Sequence, residues 1–153
     1  MQFSLITISR RVPDWIASGY NEYARRLPRS CRLELVERPP SRADTPDKIR
    51  AEEAGRLLEA ARRSARVIAL DERGEMWSTR ELAGFLESWS RDGDDVALLV
   101  GGAEGLDQSV REGADACWSL SRLTLPHQLV RVLIAEQVYR ARRIKKNHTY
   151  HRG

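Results

Sequence analysis

The chain has 153 residues, of which 41% are hydrophobic and 31% charged. That length suits one compact domain spanning residues 1–153, long enough to bury a core without metal or disulfide staples. The apolar runs are strand-sized, which excludes a membrane-spanning helix, and Cys31 and Cys117 lack the spacing of a zinc site or a disulfide framework. No membrane and no metal are therefore expected, and the cysteine usage fits a reducing cytoplasm.

The net charge of +4 is unevenly placed. All 22 acidic residues precede residue 139, and the last fifteen residues carry only basic charge: Arg140, Arg142, Arg143, Lys145, Lys146 and Arg152. A basic C-terminal segment on a near-neutral body is either a solvated tail or a phosphate-binding element.

In chain order, Phe3–Ile8 reads as a strand, and Pro13-Asp14 opens a helix with apolar residues at Ile16, Tyr20, Tyr23 and Leu27. Leu33–Val36 is a second strand. Thr45-Pro46 starts a helix to about Arg63, and Arg66–Leu70 is a third strand that ends at Asp71. The segment 71–77 is expected to be a loop. Ser78 and Glu81 have capping-box spacing before a helix that stops at Asp92-Gly93-Asp94. Val96–Val100 is a continuous apolar strand, as for a sheet centre buried on both faces. A turn at Gly101–Gly105 precedes a short helix capped by Asp107. Ala116–Leu120 reads as a fifth strand, and a last helix runs from near Pro126 to about Lys145.

Strict alternation of strand and helix predicts an α/β fold with a mostly parallel sheet flanked by helices. In the last helix Val130, Leu133, Ile134 and Val138 form an apolar face that Leu129 and Val132 widen. A stripe this wide suggests contact with the sheet and with a second subunit; deep burial in a monomer is the alternative.

Ligands in open α/β sheets sit beyond the carboxyl ends of strands, where three segments fall. These are Leu70-Asp71, the glycine turn Gly101-Gly102-Ala103-Glu104-Gly105, and the loop Leu120-Ser121-Arg122-Leu123-Thr124-Leu125-Pro126-His127. Glycines allow close backbone approach, and the leucine-rich loop offers an apolar wall suited to an adenine ring and a thioether. A tight turn, a loop cap and a core-closing loop are the plainer readings. The dinucleotide fingerprint, the P-loop and the hydrolase elbow are all missing from the sequence. The ending Asn147-His148-Thr149-Tyr150-His151-Arg152 sets rings among cations, which suits an extruded or single-stranded base.

These residues resemble the RlmH (YbeA-like) family of SPOUT-class methyltransferases of large-subunit ribosomal RNA. The likeness rests on Leu98–Gly105, Trp118–His127, Leu129–Ala141 and Asn147–His151, with Pro13-Asp14-Trp15 and Glu22-Tyr23-x-Arg25-Arg26 in the first helix. It covers the whole chain. It implies a SPOUT-type α/β knot with a C-terminal trefoil, an exception to the usual rule against knots. It also implies a homodimer, S-adenosylmethionine as cofactor, and N3 methylation of a pseudouridine in helix 69 of 23S rRNA within the assembled 70S ribosome.

Carried over residue by residue, the cofactor site comprises Leu70, Gly101, Gly102, Glu104, Gly105, Leu120, Ser121, Arg122, Leu123, Thr124 and Leu125. The catalytic set comprises Tyr150, His151, Arg152 and Arg142. Thr149 stands where the family usually has a proline, and the 72–76 loop is more charged than the family's form. A non-catalytic RNA-binding assembly factor, or a knotted methyltransferase for another RNA site, are the alternatives.

Overall fold

The computed structural model describes residues 1–152, with side chains to Ile144. Five strands and five α-helices alternate: β1 (Gln2–Ile8), α1 (Asp14–Ala24), β2 (Arg32–Arg38), α2 (Pro46–Ala60), β3 (Arg66–Met76), α3 (Thr79–Asp92), β4 (Val96–Val100), α4 (Gln108–Gly113), β5 (Ala116–Ser119) and α5 (His127–Arg152). The strands form one sheet in the order β2-β1-β4-β3-β5, and every pair runs parallel. The expected α/β class and parallel sheet are observed.

Period-two alternation sorts the core into two layers. Phe3 and Leu5 of β1 with Val96, Leu98 and Val100 of β4 pack against α1, α3 and α5. Ile6 and Ile8 with Ala97 and Leu99 face α2 and α4, meeting Ala54, Leu57 and Val110. All five residues of β4 are buried, which explains why its sequence has no polar alternation.

The helix starts follow from side-chain capping. Thr45 Oγ1 accepts from the Lys48 N–H at 3.2 Å. The Ser78 hydroxyl accepts from the Glu81 N–H and the Glu81 carboxylate from the Ser78 N–H, both at 3.0 Å, completing the expected capping box. Gly93 ends α3 with φ 71°, a left-handed conformation open to glycine. Ser78→Ala is expected to lower stability by about 1 kcal/mol in denaturant unfolding. An unchanged midpoint would mean that α3 is held by its apolar face alone.

β3 is longer than its sequence suggests. Leu70 and Glu75 both pair with Trp118, and Met76 pairs with Ser119, so the intervening residues bulge from the sheet. The expected 71–77 loop is thus a bulge within a strand that resumes at Glu75. Gly74 makes this possible: a Cβ there would lie 2.6 Å from the Cys117 carbonyl carbon. α5 also continues past the expected end near Lys145, to Arg152.

Tyr20 is buried with its hydroxyl unpartnered. Burial pushes its pKa up to about 12, with Glu34 adding to the rise and Arg131 opposing it. The folded state therefore favours the neutral phenol. This contribution is fully present below pH 10, and is lost as pH rises through the folded value near 12. Its size is about 2–3 kcal/mol. Tyr20→Phe should flatten the alkaline limb of a stability–pH curve, and an unaltered limb would place the titration elsewhere.

Candidate cofactor and active site

A cleft of about 910 Å³ opens at the carboxyl ends of β3, β4 and β5. The strand order makes it: β3 lies between β4 and β5, so the segments that follow them converge although they are distant in sequence. Leu70, the 101–105 turn and the 120–126 loop all line it, except Arg122.

The turn is built from backbone proximity. A Cβ on Gly101 would come within 2.7 Å of the Gly105 carbonyl carbon and 2.8 Å of its oxygen. The Gly105 N–H donates to the Gly102 carbonyl at 3.0 Å, and Gly105 has φ 79°. Arg50 from α2 reaches over the turn and donates to the Glu104 carbonyl at 3.4 Å. Asp107 caps α4 through the Ser109 N–H at 3.1 Å. Hydrogen bonds from the Ser109 hydroxyl and N–H hold its carboxyl below the usual range.

The leucine-rich loop is fixed at both ends. The Ser119 hydroxyl donates to the Ser121 carbonyl, and the Ser121 hydroxyl accepts from the Leu123 N–H, each at 2.9 Å. Thr124 Oγ1 donates to Glu72 at 3.1 Å, tying the loop to the β3 bulge. Leu123 remains 71% exposed, an apolar surface that a bound ring or a second protein would cover.

The cleft also has a charged rim. Asp71 lines it, accepts from the Arg73 N–H at 2.8 Å and pairs with Arg111 Nη1 at 3.5 Å. Arg50 and Arg111 line it as well. No sequence motif announces these two arginines, because α2 and α4 reach the cleft only through packing on the sheet. His127 stands at the cleft end of α5, half-buried. Burial lowers its pKa, the Arg131 charge adds to the lowering, and Glu53 opposes it.

The expected catalytic residues divide. Arg142 does not line the cleft; its Nη2 donates to Ser30 Oγ at 2.9 Å, just before β2 begins, at the opposite end of the sheet. Tyr150, His151 and Arg152 lie outside the residues whose side chains are described. Among the described residues no cluster suited to a metal ion occurs, and no helix is long and apolar enough to cross a membrane.

The geometry fits S-adenosylmethionine on two counts. Gly101 and Gly102, where a Cβ would meet the Gly105 backbone or Ile8 and Glu53, let the turn's main chain line the cleft, and Leu70, Leu120, Leu125 and Val130 line it with apolar surface. The cleft is also of the size that buries a cofactor-sized molecule.

Comparison with known proteins places the fold and the sequence together. A family profile described as a predicted SPOUT methyltransferase matches residues 1–151. The chain is similar to proteins named ribosomal RNA large subunit methyltransferase H. That of Methylococcus capsulatus is 49% identical over 155 residues, covering 99% of this chain and 100% of the relative. That of Nitrosococcus oceani is 50% identical over 156 residues, covering 100% and 99%. Among solved structures, a probable methylase family protein from Haemophilus influenzae matches with a TM-score of 0.62 at 16% identity, covering 95% of this chain and 67% of that one. A probable methyltransferase from Bordetella pertussis matches with a TM-score of 0.56 at 16% identity, covering 91% and 95%; these two likenesses concern the fold. With a profile spanning almost the whole sequence and full-length relatives near half identical, the chain belongs to the SPOUT methyltransferase family.

Proposed function

We propose that the protein methylates 23S rRNA of the large ribosomal subunit with S-adenosylmethionine as methyl donor, at N3 of a pseudouridine in helix 69 on the assembled 70S ribosome, in the cytoplasm. The observation that carries the donor assignment is the convergence of the glycine turn 101–105 and the leucine-rich loop on one cleft at the strand ends. The RNA assignment draws on the printed name of the full-length relatives. The knotted path of the C-terminal segment belongs to the same reading.

When bound, S-adenosylmethionine supplies a methyl group already activated by its sulfonium. The chain's own residues hold and orient. Gly101, Gly102 and Gly105 let main-chain groups approach the ligand, Glu104 sits on the same turn, and Leu70 with the 120–125 loop excludes water. Pseudouridine is joined through C5, so both ring nitrogens carry hydrogen and N3 must lose its proton. Tyr150 or His151 takes or relays it, and Arg152 or Arg142 stabilises the developing charge on the base.

In this reading the protein works as a homodimer, with the tail of one subunit completing the cleft of the other. Arg142 supports it, since α5 leaves the cleft at His127 and has crossed to the far end of the sheet by Arg142. Apolar surface supports it as well: Trp15 on α1 is 66% exposed, and Leu129, Val132 and Leu133 of α5 are only half-buried.

Calorimetry with S-adenosylmethionine tests the donor, and a titration that shows no binding at any concentration would sink it. Mass spectrometry of rRNA fragments from a strain lacking the gene tests the acceptor. Loss of one methyl group from the helix 69 pseudouridine is expected, and an unchanged fragment would overturn the assignment.

A further inference from the structure

Two buried charged side chains near the cleft wall take no part in the chemistry above. Glu53 of α2 and Arg131 of α5 are each 3% exposed. Glu53 Oε2 accepts from the Ser41 N–H at 3.0 Å, but its Oε1 has no hydrogen-bond partner. That oxygen would lie 3.2 Å from a Cβ at Gly102, so the carboxylate packs against the back of the turn. Arg131 Nη2 donates to Ser9 Oγ at 2.9 Å and Nη1 reaches Glu37 at 3.4 Å, while Nε has no partner. Arg131 lies one turn along α5 from His127, and it and Glu53 are the charges that act on that imidazole, in opposite senses.

Two half-satisfied charges in a protein interior are a poor way to gain stability. Burial of each is costly, and neutral groups of matching shape commonly do as well or better. Their position is more telling than their energy. One braces Gly102 and the other anchors the first turns of the helix that begins at His127, so both bear on the wall of the cleft.

We propose that Glu53 and Arg131 are positioning residues for methyl transfer, a buried pair of opposite charges that holds Gly102 and His127 in place on the cleft wall. The proposal rests on the methyl-transfer reading of that cleft. Glu53, through Ser41 and Gly102, links the loop after β2 to the glycine turn. Arg131, through Ser9 and Glu37, links the ends of β1 and β2 to α5.

The test uses the full chain in two arms. In the first, the imidazole proton of His127 is titrated by NMR without cofactor, its resonance assigned from His127→Gln. Glu53→Gln should move the midpoint down and Arg131→Met should move it up, because the removed charges act oppositely. Midpoints that stay fixed, or move the same way, overturn the proposal. In the second arm, S-adenosylmethionine binding and thermal melting are measured for both variants and for the double variant. Each single change should weaken binding about tenfold. The double variant should melt near the wild-type temperature and still bind weakly. Binding that stays at the wild-type level, or that falls only in step with melting temperature, overturns the proposal. A wild-type chain that binds no S-adenosylmethionine would overturn the donor assignment instead, while the titration arm separately reads the charges acting on His127.

Discussion

Gly101→Ala is expected to remove cofactor binding while leaving the fold in place. The added methyl would lie 2.7 Å from the Gly105 carbonyl carbon, 2.8 Å from its oxygen and 3.0 Å from the Leu106 nitrogen. All three are backbone atoms, so no side chain can rotate to make room. The two arms of the turn must separate, which breaks the bridge between Gly102 and Gly105 and moves the main-chain groups that face the cleft. A loss of at least about a hundredfold in affinity, near 2.7 kcal/mol, is the expected scale. Gly105→Ala makes the contrast. Nothing lies within 4 Å of its Cβ, but its φ of 79° is left-handed. The cost there is conformational, about 1–2 kcal/mol of stability, with less effect on binding. Calorimetry with S-adenosylmethionine, beside circular dichroism for folding, distinguishes the two. A Gly101→Ala protein that binds like wild type would mean that the turn is not part of the cofactor site.

The glycine turn is legible in the amino-acid sequence because its signal is local. A glycine pair directly follows the most apolar strand, and the leucine-rich loop just as directly precedes the last helix. What brings them together is not local. The sheet order β4-β3-β5 sets residues 70, 101 and 120 side by side, and nothing in strand periodicity fixes that order. The same limit hides the second half of β3. Glu72-Arg73-Gly74-Glu75 reads as a solvated loop, yet Glu75 and Met76 resume pairing with β5 because Gly74 can pass close to Cys117. Glu53 is hidden for a related reason. In Arg50-Ala51-Glu52-Glu53 it looks like any charged helix position, and only the packing of α2 against the sheet buries it. Arg131 carries a faint signal as the one charge inside Leu129–Ile134. Helical amphipathicity alone would turn that residue outward.

The largest expected effect concerns the tail, and mixed dimers measure it. A protomer with Gly101→Ala lacks a working cleft, and one with Tyr150, His151 and Arg152 replaced by alanine lacks a working tail. On the proposed function each homodimer should lose at least about a hundredfold in activity, one through the donor site and the other through the residues proposed to handle the N3 proton and its charge. If the tail serves the other subunit's cleft, a heterodimer contains one site with both defects and one with neither. Random mixing makes half of the dimers heterodimers, so activity should return to about a quarter of the wild-type value. If each cleft instead uses its own tail, both sites of the heterodimer carry a defect and mixing restores nothing. Co-expression with two affinity tags isolates the heterodimer and should double the recovered activity. The path of α5 is the physical reason to expect recovery. It leaves the cleft at His127 and has reached Ser30, at the far end of the sheet, by Arg142. A helix rises about 1.5 Å per residue, so each further residue along that axis carries the chain away from its own cleft.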